Sequence, residues 1–143
     1  MKETNELLEH IYKDATMGRY TSMQLAEDLK TKDNKIKNAL EDIVKEYKNF
    51  EKKAKDSLKN NTPTEESFMA KMMAKRGIKK EVEKDNSDSA IAKMLIEGLT
   101  MGSLEVEAKI KDYEKESSHD TLKLAKDFLK FQEKAIETLK KYL

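Results

Sequence analysis

The chain has 143 residues, about the length of one domain, and 40% of them are charged while 37% are hydrophobic. A content of four glycines, one proline and no tryptophan suits amphipathic helices and offers little turn chemistry for strands, so the predicted class is all-α. The absence of cysteine excludes disulfides, thiolate nucleophiles, iron–sulfur clusters and cysteine-based zinc sites.

The net charge of +1 gives the chain no overall field that would attract nucleic acid or an anionic membrane. Of the 29 basic residues only Arg19 and Arg76 are arginines, and lysine suits a solvated surface better than bidentate phosphate recognition. The N-terminus lacks the apolar run of a signal peptide, and the most apolar stretch, residues 91–106, is too short and too charged to span a bilayer. These features predict a soluble, cytoplasmic protein that does not bind nucleic acid.

The first two predicted long helices form a hairpin over residues 1–60. Small and apolar residues recur at alternating spacings of three and four, first over residues 4–31 and then to about residue 60, which places each set on one helix face. The polar TKDN turn joins the two helices, with Asp33 or Asn34 as the expected N-cap. The first set is Leu8, Ile11, Ala15, Gly18, Ser22, Leu25 and Leu29, and the second is Ile36, Leu40, Ile43, Tyr47, Phe50, Ala54 and Leu58.

A connecting segment, residues 61–88, follows this hairpin. Thr62 and Glu65 have the spacing of a capping box and would place Pro63, the only proline, at the first position of a short helix. That helix has an apolar arc and is expected to end or kink at Gly77. A helix of about 20 residues would cover roughly 30 Å. The segment is therefore long enough to run the length of a bundle, which favours a crossover with the second and third long helices parallel.

A second hairpin is predicted over residues 89–143. Its first helix has its apolar face at Ala92, Leu95, Leu99, Gly102, Val106, Ile110 and Tyr113, and its second helix has it at Leu124, Phe128, Phe131, Ala135, Leu139 and Tyr142. The whole chain, residues 1–143, is thus predicted to be a single four-helix-bundle domain made of two hairpins and a helical crossover.

The two hairpins resemble each other. Thr-Met-Gly occurs at residues 16–18 and again at 100–102, and an offset of 84 aligns most of the apolar positions of the two first helices. The stretch KEYKNFEKKAKDSLK from Lys45 aligns with KDFLKFQEKAIETLK from Lys126 at an offset of 81. An internal duplication explains both alignments because glycine and phenylalanine match on the apolar faces, with chance matching between lysine-rich helices as the alternative.

The recurring glycines have a structural interpretation. Gly18 and Ser22 form a small patch on the first long helix, and Gly98 and Gly102 form one on the third. A missing side chain permits close approach of two backbones at a cost of about 0.5–1 kcal/mol in helix propensity. We therefore expect these two helices to pack near each other at the patches.

Three stretches, LLEHIYKDATMGRYTS, MAKMMAKRGIKK and IAKMLIEGLTMGS, resemble a bacterial family of ferritin-like four-helix bundles related in fold to the rubrerythrins. The resemblance covers nearly the whole chain, but its motifs are packing motifs. It implies a ferritin-like bundle, and it implies no established activity.

A di-iron centre in such a bundle needs inward carboxylates and Glu-x-x-His motifs on facing helices. The predicted inner faces contain no such pattern, and Glu46, Glu51, Glu97 and Asp127 are expected on the solvated faces. An interior without metal is the simpler interpretation because an unpaired buried charge costs several kcal/mol.

One weaker metal site is geometrically conceivable. Glu116 and His119 form a Glu-x-x-His across the last turn, which a crossover topology would place at the same end as His10. A surface site of His10, Glu116 and His119 would bind a divalent metal weakly, whereas the alternative leaves His10 solvated and His119 at a helix start. A metal-binding ferritin-like protein, holding iron, manganese or zinc in a stress-related oxidoreductase or storage role, is therefore the alternative function.

Two faces could bind partners. Met69, Met72 and Met73 beside Lys75 and Arg76 make a basic amphipathic helix that could lie on a membrane surface or in a partner groove, unless its apolar arc covers the bundle. A stripe at Leu129, Ile136 and Leu143 would suit a homo-oligomer if it remained exposed. The predicted function is a non-catalytic structural or protein-interaction module.

Overall fold

The computed structural model describes residues 2–76 and 85–143, with side chains described from Glu6 onward. In order, its α-helices are α1 (Lys2–Asp28), α2 (Lys37–Leu58), α3 (Glu65–Lys75), α4 (Asp88–Tyr113) and α5 (His119–Leu139). No strand occurs in the described residues, so the predicted all-α class is confirmed there. None of the described helices combines the length and the apolar character needed to cross a membrane.

Contacts at the two ends of the molecule fix the directions of the long helices. Asn34, in the turn between α1 and α2, donates from Nδ2 to the Oδ1 of Asp88, the first residue of α4, over 2.9 Å. At the opposite end, the hydroxyl of Tyr113, the last residue of α4, donates to the carboxylate of Glu6 near the start of α1. Helix α4 is therefore antiparallel to α1 and parallel to α2, as the length of the connecting segment predicts.

The core follows the predicted apolar periodicity. Every predicted inner position of α1 and α2 is buried, and those of α4 are buried up to Ile110, while Tyr113, Leu124 and Tyr142 are half-buried. Helix α1 packs against α2, α4 and α5, and helix α5 also packs against α2 and α4. Between α2 and α5 lies an aromatic cluster of Tyr47, Phe50, Phe128 and Phe131.

A side chain of α4 caps the start of α2. Asp88 accepts the backbone N–H groups of Lys35 and Ile36 at 3.1 and 3.4 Å, and it also accepts the amide of Asn34. Neither Asp33 nor Asn34 caps α2 with its side chain, because the N-cap residue is Ile36. The predicted local cap is therefore wrong, and a residue more than fifty positions away replaces it.

Helix α3 begins later than its predicted capping box. Its N-cap is Thr64, which makes no side-chain cap, and the Thr62 hydroxyl donates to the carbonyl of Lys59 over 2.8 Å. Pro63 therefore precedes the helix. The predicted terminator Gly77 lies outside the described residues, and α3 ends at Lys75 before it.

Helix α3 packs across α1 and covers part of its outer side. Between Leu7 and Gly18 every residue of α1 except Glu9 and Lys13 is buried. The ring of Phe68 on α3 meets the ring of Tyr12 edge-on, with 5.9 Å between centroids. One long helix is thus enclosed on nearly all sides over three turns, which brings polar residues of α1 into the interior.

Candidate functional site

A buried network of hydrogen-bonded charged and amide groups lies between α1, α4 and α5. We call Asp14, Arg76, Glu105 and Gln132 the polar network. Asp14 accepts from Arg76 Nη1 over 2.7 Å at Oδ1 and from Gln132 Nε2 over 2.8 Å at Oδ2. Arg76 also donates from Nη2 to Glu105 Oε1 over 3.0 Å. The network therefore joins the end of α3 to the three long helices α1, α4 and α5.

The polar network is buried most deeply at Asp14 and Gln132, which are 1% and 0% exposed. The side chain of Arg76 is 3% exposed, whereas that of Glu105 keeps 24% and touches solvent. Burial acts to lower the pKa of Arg76, but the carboxylates of Asp14 and Glu105 hold it above its ordinary value. The guanidinium is therefore charged and serves as the counter-ion of two carboxylates.

Gly102 provides the space for this network. A Cβ at residue 102 would lie 2.6 Å from Gln132 Nε2 and 2.7 Å from Asp14 Oδ2, closer than real contacts allow. Gly102 is thus closely packed, but the groups that approach it are the side chains of Gln132 and Asp14 rather than the small patch of α1. Any side chain at this position would push apart the hydrogen bond from Gln132 to Asp14.

The other small residues have different neighbours. A Cβ on Gly18 would collide with the ring of Tyr47, so Gly18 packs against α2 rather than α4. The hydroxyl of Ser22 donates to the carbonyl of Gly18 over 2.6 Å. Gly98 has no atom within 4 Å of a Cβ position. The predicted close approach of the two glycine patches is therefore wrong at Gly18 and Gly98.

His10 lies in the interior beside the polar network and not on the surface. It is 6% exposed, and its Nε2 has no hydrogen-bond partner among the described residues. Burial lowers the pKa of His10, and the charges of Asp14 and Glu105 oppose this only in part. The expectation that His10 is solvated is therefore wrong.

The predicted surface metal site does not assemble around His10. His119 is exposed at the start of α5, and Glu116 is exposed in the preceding turn, at the end of the molecule where Glu6 meets Tyr113. His10 lies one turn further along α1 and is buried. Within residues 2–76 and 85–143, no group of three or more histidines, aspartates and glutamates is placed to hold a metal ion.

A second, more exposed ion-pair cluster joins α1, α2 and α3. Glu51 accepts from Arg19 Nε over 2.7 Å and from the hydroxyl of Thr16 over 2.9 Å, and Arg19 also pairs with Glu65 at 3.2 Å. The side chain of Glu51 is 17% exposed. Its predicted place on a solvated face is wrong, whereas Glu46, Glu97 and Asp127 are exposed as expected.

The basic methionine-rich helix does not present the predicted partner surface. Met69 and Met72 pack against the core and Met73 is half-buried, whereas Lys71 and Lys75 are exposed. Arg76 is buried in the polar network, so its assignment to a partner surface is wrong. The apolar arc covers α1, which is the alternative that the sequence left open.

The apolar side chains that stay exposed lie elsewhere. Leu129 and Ile136 are half-buried against the core, so the predicted stripe on α5 keeps only Leu143 exposed. Between α1 and α4 runs a groove of about 1070 Å³ whose rim leaves Leu104 63% and Met101 38% exposed. Its lining includes Met17, Thr21, Leu25, Met94, Leu95 and Gly98.

Comparisons with known proteins give no match: no family model fits the chain, and neither a curated protein nor a solved structure is significantly similar. In the polar network the buried carboxylate already has a guanidinium and an amide as partners. This arrangement suits a fixed interior ion pair that positions helices.

Proposed function

We propose that the protein is a ferritin-like four-helix bundle that serves as a structural or protein-interaction module and has no di-iron centre. The observation that carries this proposal is the placement of Arg76 between Asp14 and Glu105. A metal centre needs buried carboxylates that are free to ligate. Here the Arg76 guanidinium lies between the carboxylates of Asp14 and Glu105, in the place that a metal ion would need. The two carboxylates therefore hold helices together through Arg76.

The arrangement of helices supports the ferritin-like part of the proposal. Two antiparallel hairpins are joined by a long connection with a short helix, and α2 runs parallel to α4. Four-helix bundles with one long crossover have this connectivity. The duplication of the hairpin remains a prediction, and it would explain why both hairpins begin with a glycine-bearing helix.

The groove between α1 and α4 supports the interaction part of the proposal. Leu104 and Met101 stand exposed at its rim. Large apolar side chains left exposed beside a groove are typical of a protein-binding surface. The partner in this proposal is a protein, and a second copy of the chain is one such partner.

Metal analysis separates this function from the metal-binding alternative. The protein is expressed in medium supplemented with iron, manganese and zinc, purified without chelators, and analysed by elemental mass spectrometry. The proposal predicts only substoichiometric metal, equal to that of an Arg76→Gln variant prepared in parallel. Near-stoichiometric iron, manganese or zinc in the wild-type protein would overturn it.

A photo-crosslinking amino acid at residue 104 tests the interaction part. The control carries the same amino acid at Lys130, which is exposed on α5 and does not line the groove. Crosslinked products, including a covalent dimer, are expected from position 104 and not from position 130. Identical product patterns from both positions would contradict a binding role for the groove.

A further inference from the structure

The short helix α3 is attached to the rest of the molecule by few apolar contacts. It has 11 residues, and Phe68 is its one buried side chain. Met69 and Met72 pack partly against the core, whereas most of its other residues are exposed. Helix α1 is the main surface against which it packs. A helix of this length is not stable alone in water, so α3 exists only while it is attached.

Ion pairs at the two ends of α3 differ greatly in burial. At its start, Glu65 pairs with Arg19 at 3.2 Å, but the Glu65 side chain is 57% exposed and the pair is solvent-screened. At its end, Arg76 is 3% exposed and bonds to both Asp14 and Glu105. Breaking a buried pair leaves an uncompensated charge in the interior, which is much more unfavourable than losing an exposed pair.

We propose that α3 detaches from α1 as one unit while the four long helices stay packed, and that the ion pairs of Arg76 are the anchor that limits this detachment. The inference is independent of the proposed function. Detachment would expose the face of α1 that carries Tyr12 and open a path to Asp14. Helix α3 would then be a conformational device that controls access to the buried polar network.

Hydrogen–deuterium exchange measured by mass spectrometry on the full chain tests the detachment. Cooperative units that open below global unfolding exchange faster than the core. Peptides from residues 65–75 are expected to exchange at least about tenfold faster than peptides from residues 125–135 of α5. Equal protection of the two regions would show that α3 opens only when the whole molecule unfolds, and it would overturn the proposal.

Variants at both ends of α3 test the anchor. Arg76→Gln is expected to accelerate exchange in residues 65–75 by a factor of about ten or more over the wild-type protein. Lys75→Gln is the matched control, because Lys75 approaches the same Glu105 at 4.0 Å but its side chain is 71% exposed. Lys75→Gln and Glu65→Gln are each expected to leave the exchange rate of residues 65–75 almost unchanged.

Arg76→Lys keeps the test decisive if Arg76→Gln fails to fold. Lysine keeps the charge but cannot donate in two directions from a planar group, so one of the two carboxylates loses its partner. Faster exchange in residues 65–75 than in the wild-type protein is expected, and residues 125–135 should still exchange more slowly than residues 65–75. Unchanged exchange in residues 65–75 would overturn the anchor, and a Lys75→Gln effect as large as that of Arg76→Lys would remove it as well.

Discussion

Arg76 Nη1 donates to Asp14 Oδ1 over 2.7 Å, and the two side chains are 3% and 1% exposed. This contact joins the residue that directly follows α3 to the middle of α1, 62 positions away in the chain. Since Asp14 also accepts from Gln132 of α5, the loss of any member leaves a buried polar group without its partner. Four of the five helices therefore depend on the same few polar atoms.

The first prediction uses two glycines of α4 that lie one turn apart. Gly102→Ala should reduce the free energy of unfolding by about 1–3 kcal/mol, since its Cβ would collide with the Asp14 and Gln132 side chains. Gly102→Leu should be more destabilising still. Gly98→Ala is the matched control, because its Cβ would enter open space and the helix would gain about 0.5–1 kcal/mol of propensity.

Denaturant unfolding of the three glycine variants measures these changes. Opposite signs for Gly102→Ala and Gly98→Ala are expected. Equal effects of the two alanine substitutions would show that helix propensity alone governs these positions, and the close packing at Gly102 would then be irrelevant to stability.

The second prediction concerns the pH dependence of stability through His10. Its pKa is lowered in the folded state by burial, so the unfolded chain takes up this proton more readily. The stabilisation is fully present above the unfolded pKa of about 6.5 and is lost as pH falls through the lowered, folded pKa. His10→Leu should therefore lose less free energy of unfolding than wild type between about pH 7.5 and about pH 5.

His119→Leu is the control for His10, because it removes an exposed histidine instead of a buried one. Denaturant midpoints at a series of pH values provide the measurement. Parallel profiles for wild type and His10→Leu would mean that His10 is not buried in a neutral form.

The third prediction concerns the cap that α4 provides for α2. Asp88→Ala should cost about 1–2 kcal/mol, since the carboxylate accepts from the start of α2 and from Asn34. Asp120→Ala is the matched control: Asp120 is also an acidic residue in the first turn of its helix, but it is exposed to solvent. Thermal or denaturant unfolding measures the loss of stability in both variants. Equal losses would show that Asp88 contributes only as an acidic residue in the first turn of its helix and not as a cap of α2.

The long helices were predictable because their apolar residues repeat with helical spacing over several turns. Leu8, Ile11 and Ala15 in α1, like Leu40 and Ile43 in α2, are buried as the periodicity predicts. The parallel direction of α2 and α4 was predictable as well, since it depends only on the length of the connection. The cap at the start of α2 was not predictable, because the capping side chain, Asp88, belongs to another helix.

The polar network was not predictable from the same pattern. Asp14 and Gln132 lie next to predicted inner positions in their helices. In a helix rich in lysine and glutamate, the sequence pattern does not show whether one such polar side chain is buried and hydrogen-bonded or exposed to solvent. The sequence predicts that Arg76 belongs, with neighbouring lysines, to the exposed face of a basic helix, whereas its guanidinium lies in the interior. The one available signal was its residue type, because only two arginines occur in the chain and both form ion pairs between helices.

A double-mutant cycle on Asp14 and Arg76 tests most directly whether the chain supplies its own interior cation. Asp14→Leu and Arg76→Met each leave one buried charge without its main partner, and each should cost about 3–5 kcal/mol of unfolding free energy. The double variant removes both charges, so its loss should be smaller than the sum of the single losses by at least about 1.5 kcal/mol. Losses that add to within about 0.5 kcal/mol would contradict the account, because Asp14 and Arg76 would then stabilise the fold independently.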